Sequence, residues 1–322
     1  MSKTVFEQIN KLTAERIPFL CLVDFDKSNP LVFPLDQIDP GQLLYDINGV
    51  TNIRQDEGLV GLTQWDKMPV SREHYRQAFE LVQRHLHYGD SFLLNLTFPT
   101  GLATNLDLQQ IFHLSRARYK VWLKDQFITF SPEPFIRIVG SSISSYPMKG
   151  TINSIAPDAE KQILDNKKEA EEHLTIVDLI RNDLAIVARN IRVERFRYLE
   201  KVKTMQSELL QVSSEIRGQV LPDYWPALGS LLEQVLPAGS ISGAPKKKTI
   251  EIIKKAEGYD RGYFTGMVGL FDGAKFDSGV MIRFIQQTSE GLVYKSGGGI
   301  TVNSQVEQEY QEMIDKVYVP IV

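Results

Sequence analysis

Residues 120–150, KVWLKDQFITFSPEPFIRIVGSSISSYPMKG, form a series of short β segments broken at SPEP and at GSS. Segments joined this tightly pair antiparallel, because a parallel connection needs a crossover of about a dozen residues or more. The signature returns near the C-terminus, where TGMVGLF, GVMIRFIQQ and LVYKSGGGI are separated by the turn segments DGAK and SEG. That stretch reads as an antiparallel meander with Arg283 inside a strand. PFLCLV, residues 18–23, and the Pro-rich SNPLVFPLDQIDPGQ after it read as strand, loop, strand; FLLNLTFPT is a further strand.

Helical periodicity falls between these strands without strict alternation. Tyr75, Phe79, Val82 and Leu86 recur at three- and four-residue steps, with Ser71 as N-cap and Gly89 after the last turn. Residues 106–119, 158–190 and 227–236 read as helical, as does KKTIEIIKKAEGYD, whose first turn holds Pro245. A closing helix in SQVEQEYQEMIDKV has Ser304 as its cap. The pattern predicts an α+β fold with largely antiparallel sheets, one compact domain rather than a doubly wound sheet. Residues 1–70 read as a strand-rich N-terminal segment packed on a body formed by 71–322.

The 36 Lys and Arg against 40 Asp and Glu leave a formal charge of −4, so there is no basic excess to attract nucleic acid. Cys21 is the single cysteine, which precludes an internal disulfide and disfavours a cysteine-based metal site. It sits in an apolar strand without a nucleophile-elbow context, so no glutaminase triad is built on it. No apolar stretch reaches the length of a membrane span and no signal peptide is evident; a reducing, cytoplasmic location is expected.

Glu169 and Glu172 share one helix face, and Glu309 and Glu312 another. Like charges at that spacing repel, a conflict that a divalent cation between the helices removes. An oxygen-only donor set suits Mg²⁺, although spacing alone is a weak signal and favours two solvated faces. LPAGSISGAPKKK places small residues before a helix start, either an anion cradle or a flexible entry loop. Gly297, Gly298 and Gly299 let a ligand approach the backbone. Arg283, in an apolar setting, either snorkels from an edge or meets an anion. Lys149 and Glu133 end short β segments and are placed to face one pocket. A lysine nucleophile needs the neutral amine, whereas the free side chain titrates near 10.4, so from residue physics alone a solvated loop lysine stays open.

In order along the chain, SPEPF, YPMKGT, EAEEHLTIVDLIRNDL, AGSISGAPKKKTIEII, RGYFTGMVGLF, the segment carrying Arg283, and SGGGITVNSQVEQEYQEMIDKV resemble the motifs of the chorismate-utilising enzymes, from about Ser71 to Val317. The resemblance implies two facing antiparallel sheets ringed by helices, and a Mg²⁺ site with Glu172 and Glu312 as ligands and Glu169 and Glu309 nearby. It also implies a chorismate site. One substrate carboxylate falls near Gly239–Ala244, including Ser240, Ser242, Gly243 and Ala244; the other falls near Arg283 and Gly297–Gly299. It places Thr151 among the substrate-binding residues and Asn95 near the reacting ring.

Lys149 in PMKGT is similar to the lysine of the family's aminodeoxychorismate-forming branch. There it is thought to attack C2 as the C4 hydroxyl leaves, before ammonia attacks C4. Glu133 matches the general acid and base, although Pro134 replaces an arginine frequent after that glutamate. The ammonia source implied is solution or a separate glutamine amidotransferase subunit, component II. The short segment before Ser71, with no Leu-Leu-Glu-Ser stretch, leads us to expect no feedback inhibition by tryptophan. No fused lyase domain is expected after Val322. The alternatives are anthranilate or isochorismate synthase chemistry, and a non-catalytic chorismate-binding subunit.

Overall fold

The structure, a computed structural model, describes residues 2–53, 61–203 and 208–321. Two nine-stranded sheets face each other, and every named pairing is antiparallel. The first sheet runs Met148–Asn153, Glu208–Val220, Ser142–Ser145, Pro134–Val139, Lys275–Val280, Met267–Phe271, Phe19–Val23, Leu31–Pro34, with Ala188–Lys203 also paired to Glu208–Val220. The second runs Gly243–Ala244, Leu93–Thr104, Gly291–Ile300, Phe284–Thr288, Phe127–Ser131, Tyr119–Leu123, Leu43–Ile47, Val50–Thr51, with Trp65–Met68 beside Leu93–Thr104. Strands before residue 70 thus belong to both sheets, and an amphipathic helix over Ser2–Ala14, for which the sequence reading had no element, precedes them.

The unbroken apolar run FLCLV follows from its position. Phe19, Cys21 and Val23 point into the core shared with Phe6 and Leu231, whereas Leu20 and Leu22 point between the sheets toward Tyr45, Val121 and Phe284. Both faces are buried, so alternation disappears, and each large side chain contributes about 1.5–3 kcal/mol relative to exposure. Helices Arg72–Tyr88, Lys246–Glu257 and Val306–Asp315 cover the second sheet around Leu94, Leu96 and Ile300. Helices Lys167–Ala185 and Leu228–Val235 cover the first. The α+β expectation of two facing antiparallel sheets ringed by helices holds.

Ser71 caps Arg72–Tyr88 by accepting from His74 N, and Gly89 ends it in the left-handed conformation. Four local expectations need correction. The C-terminal meander is split between the sheets: Met267–Phe271 pairs with Lys275–Val280 in one, and Phe284–Thr288 with Gly291–Ile300 in the other. Arg283 therefore lies outside any strand, at the crossover, with φ of 53°. Ser304 is not a cap; Gln305 precedes Val306–Asp315, and the Ser304 hydroxyl accepts from Thr301 N instead. Pro245 sits at the N-cap of Lys246–Glu257 rather than in its first turn.

The stretch read as helical to residue 190 ends at Ala185. From Ala188 the chain enters a long hairpin with Glu208–Val220 that has no counterpart in the sequence reading. In its first strand, ARNIRVERFRYLEKVK, charges crowd both faces and the register shifts repeatedly, so neither period-2 apolar alternation nor a turn signal marks it.

Candidate active site

Between the sheets and three helices lies a cleft of about 480 Å³. Its wall includes Asn95 from Leu93–Thr104, Lys149 and Gly150 from Met148–Asn153, and Glu169 and Glu172 from Lys167–Ala185. Gln211, Ser240, Gly243, Arg283, Lys295, Gly297 and Gly299 also contribute, with Glu309 and Glu312 from Val306–Asp315 and Lys316 beyond it; Glu133 closes one side. Residues spread from Leu93 to Lys316 thus converge.

Lys149 Nζ lies 3.2 Å from Glu172 Oε2. Glu133 Oε1 accepts a hydrogen bond from the Ser240 hydroxyl at 2.8 Å. Burial pushes the Glu133 carboxyl above the usual carboxylate range, partly offset by that bond and by the charges of Lys149, Arg283 and Lys316. A carboxyl shifted in this direction holds its proton to higher pH than a free one, the direction that suits a general acid. Pro134 starts the strand Pro134–Val139, and Glu133 stays in the wall with its carbonyl accepting from Val280 N.

Gly243 is the conformational hinge of the loop. Its φ is 109°, and a Cβ there would lie 1.9 Å from the carbonyl oxygen of Leu93, so only glycine allows the Gly243–Leu94 pairing that brings Ser240 to the cleft. Ser242 and Ala244, in contrast, are not in the cleft wall: the Ser242 hydroxyl turns back to Ala238 O, and Ala244 pairs with Leu93. The Thr151 side chain lies outside the described residues. Arg283 has its guanidinium 5.1 Å from the Tyr318 ring, and its buried Nε has no hydrogen-bond partner.

The four glutamates line the same cleft from two helices. Gly298, not itself in the wall, backs one pair: a Cβ would stand 3.3 Å from Glu312 Oε1 and 3.4 Å from Glu309 Oε2. Glu312 is held by Lys316 at 2.6 Å, as Glu172 is by Lys149. Among the described residues no three His, Cys, Asp or Glu side chains gather closely enough to hold a metal ion by themselves. Carboxylate oxygens are the donor type a hard divalent cation takes, usually few in number and completed by water.

Sequence reasoning missed three cations. Lys316 joins Glu312 to the Gly297 carbonyl, 2.9 Å away. Arg261, 2% exposed, donates to Asn95 O at 2.7 Å and to Ile241 O and Thr265 Oγ1 at 3.2 Å each, while gripping Glu257 through Nε and Nη2. It therefore ties together three segments of the cleft wall. Lys295, 4% exposed, donates to the carbonyls of Asp260 and Arg261. A charge inside an apolar strand was a visible signal for Lys295; Arg261 and Lys316 are placed only by tertiary structure.

The family model for chorismate binding enzyme matches residues 42–321, so the kinship begins upstream of Ser71 and takes in the strand Leu43–Ile47. A protein of Haemophilus influenzae named "Uncharacterized PabA-like protein" is 49% identical over 315 residues, covering 98% of this chain and 96% of that one. Aminodeoxychorismate synthase component 1 of Bacillus subtilis is 31% identical over 266 residues, covering 78% of this chain and 55% of the synthase. The chain thus matches about half the length of that synthase. Among solved structures, the Escherichia coli menaquinone-specific isochorismate synthase MenF superposes with a TM-score of 0.73 at 15% identity, over 98% of this chain and 80% of MenF. Anthranilate synthase component I of Streptococcus pneumoniae gives 0.68 at 23% identity, over 81% and 60%; both likenesses speak to the fold alone. Among the described residues no helix is long and apolar enough to cross a membrane. With its two facing sheets and a family match that runs from Gln42 to Ile321, the chain belongs to the chorismate binding enzyme family.

Proposed function

We propose that the cleft binds chorismate and that the chain aminates it at C4 to 4-amino-4-deoxychorismate, a precursor of 4-aminobenzoate and folate. The observation that carries this reading is the presence of Lys149 and Glu133 in one cleft, the amine beside Glu172 and the carboxyl beside Ser240. The neutral amine of Lys149 attacks C2; both conjugated ring double bonds shift, C1=C2 to C1=C6 and C5=C6 to C4=C5, and the C4 hydroxyl departs as water, taking its proton from Glu133. Ammonia then attacks C4, both ring double bonds return to their original places, and the C2–N bond breaks to restore the lysine. Glu133, now a carboxylate, accepts the proton that the incoming nitrogen releases.

Glu172 and Glu312, with Glu169 and Glu309, would hold Mg²⁺, which when bound offsets carboxylate charge on protein and substrate. Arg283, with its unpartnered Nε, suits a substrate carboxylate. Ammonia from a glutamine amidotransferase subunit, component II, is the corresponding partner reading, supported by the likeness to aminodeoxychorismate synthase component 1. The test is product analysis of purified protein with chorismate, Mg²⁺ and ammonium. A product that retains the enolpyruvyl side chain and carries a C4 amine is expected; anthranilate with pyruvate release, or isochorismate, overturns the reading. Comparing glutamine with ammonium, in the presence and absence of a candidate glutaminase, tests the partner.

A further inference from the structure

We propose that Lys295 is a substrate-contacting residue of this cleft, its ammonium joining Arg283 in receiving one carboxylate of a dicarboxylate ligand. The inference rests on the chorismate reading above and names a residue that reading does not use.

Lys295 lies in the strand Gly291–Ile300 and lines the cleft. Its register partner is Phe284, the residue after Arg283, so the two cations arise from adjacent positions at the same cleft wall. The stem is enclosed by aromatic rings: Nζ stands 5.3 Å from the Tyr259 centroid and 6.0 Å from that of Phe284. An ammonium has three donors. Two go to the carbonyls of Asp260 and Arg261, which leaves one for a ligand.

The other cations of the wall differ in their partners. Lys149 and Lys316 each hold a glutamate within ion-pair distance. Lys295 has only neutral carbonyl acceptors as hydrogen-bond partners, and burying such a charge without a counter-ion is costly. The charged groups facing it are Asp260 and Glu257, which favour its charge, and Arg261, which opposes it. Desolvation outweighs them and lowers the amine to about 8. An incoming carboxylate supplies the missing counter-charge and raises that value again. Affinity for a dianion is therefore full below about pH 8 and falls as pH rises through it, and binding above that pH takes up a proton.

Isothermal titration of the full chain with chorismate tests this, in two buffers of different ionisation enthalpy at pH 7 and about pH 8.5. Lys295→Met is expected to weaken binding about tenfold or more at pH 7, the worth of one charge-assisted hydrogen bond. Lys295→Arg should retain most of the affinity yet lose the proton uptake at the higher pH, since guanidinium does not titrate there. A folded Met variant with unchanged Kd overturns the proposal, as does proton uptake that is absent from the wild type or preserved in the Arg variant. If the Met variant fails to fold, the comparison of wild type with Arg decides. Wild-type protein that does not bind chorismate at all instead overturns the functional reading on which the inference stands.

Discussion

Lys149 Nζ stands 3.2 Å from Glu172 Oε2, so the amine of Met148–Asn153 is paired with a carboxylate of Lys167–Ala185 rather than dispersed into solvent. Lys149→Ala should reduce amination to background while leaving chorismate binding, read by titration, within a few fold. Intact-mass measurement of wild type incubated with chorismate and Mg²⁺ but no ammonia should show a covalent adduct that the variant lacks. Near-normal turnover of the variant removes the nucleophile role.

Glu133 and Ser240 make a pH prediction with a defined sign. The serine hydroxyl donates to the carboxylate and so favours the ionised form. Ser240→Ala should therefore raise the carboxyl pKa further and shift the alkaline fall in activity to higher pH, because the protonated acid persists longer. Glu133→Gln should lose that pH limb and about 10²–10⁴-fold in rate, the usual worth of a general acid or base. A pH–rate profile unchanged in Ser240→Ala contradicts the assignment.

Gly298→Ala probes the glutamate pair without removing a carboxylate. The added Cβ meets Glu312 Oε1 at 3.3 Å and Glu309 Oε2 at 3.4 Å, forcing both to give. Activity should then need a higher Mg²⁺ concentration for half-saturation, with the thermal midpoint little changed. In the wild type a chelator should abolish activity and added Mg²⁺ restore it; activity indifferent to chelation refutes the metal site.

Arg261 and Glu257 form a buried ion pair, with Glu257 also accepting from Thr97 N and Oγ1. Arg261→Met should cost about 3–5 kcal/mol of stability, because the buried Glu257 carboxylate loses its counter-charge and keeps only the Thr97 hydrogen bonds. Adding Glu257→Gln should recover part of that loss. Denaturant midpoints of the two single variants and the double variant measure the coupling, and strict additivity would show that the pair is not a unit.

Local chemistry was legible in part: Ser304 was not the cap of its helix, and Pro245 stands at an N-cap rather than in a first turn. Ser71 and Gly89 bracket their helix as read, because capping depends on a few neighbouring residues. The glutamate pairs, Lys149, Glu133 and Arg283 reach one cleft, and that was legible through motif resemblance rather than through spacing. Arg283 was read inside a strand because GVMIRFI is apolar on both sides of it; the chain changes sheets there instead, which the apolar pattern does not reveal. Ser242 and Ala244 fell beside the right glycine but are not in the cleft wall: Ser242, in the short helical turn Gly239–Ser242, bonds back to Ala238 O, and Ala244 lies past the Gly243 hinge, paired with Leu93. Arg261 and Lys316 carry no sequence signal, for their partners Asn95 and Gly297 are set only by the packing of distant strands and helices.

The breadth of the chain that feeds the cleft, from Asn95 through Lys149 and Ser240 to Lys316, has a consequence for how the molecule matures. Contacts this distant in sequence close late in folding, because loop entropy must be lost before they gain anything. No partly folded intermediate that lacks Val306–Asp315 owns Glu309 or Glu312, so such a species has no reason to recognise the ligand. A molecule that fills the cleft should therefore slow global unfolding rather than local fraying, and hydrogen exchange in strands of both sheets should slow together when it binds.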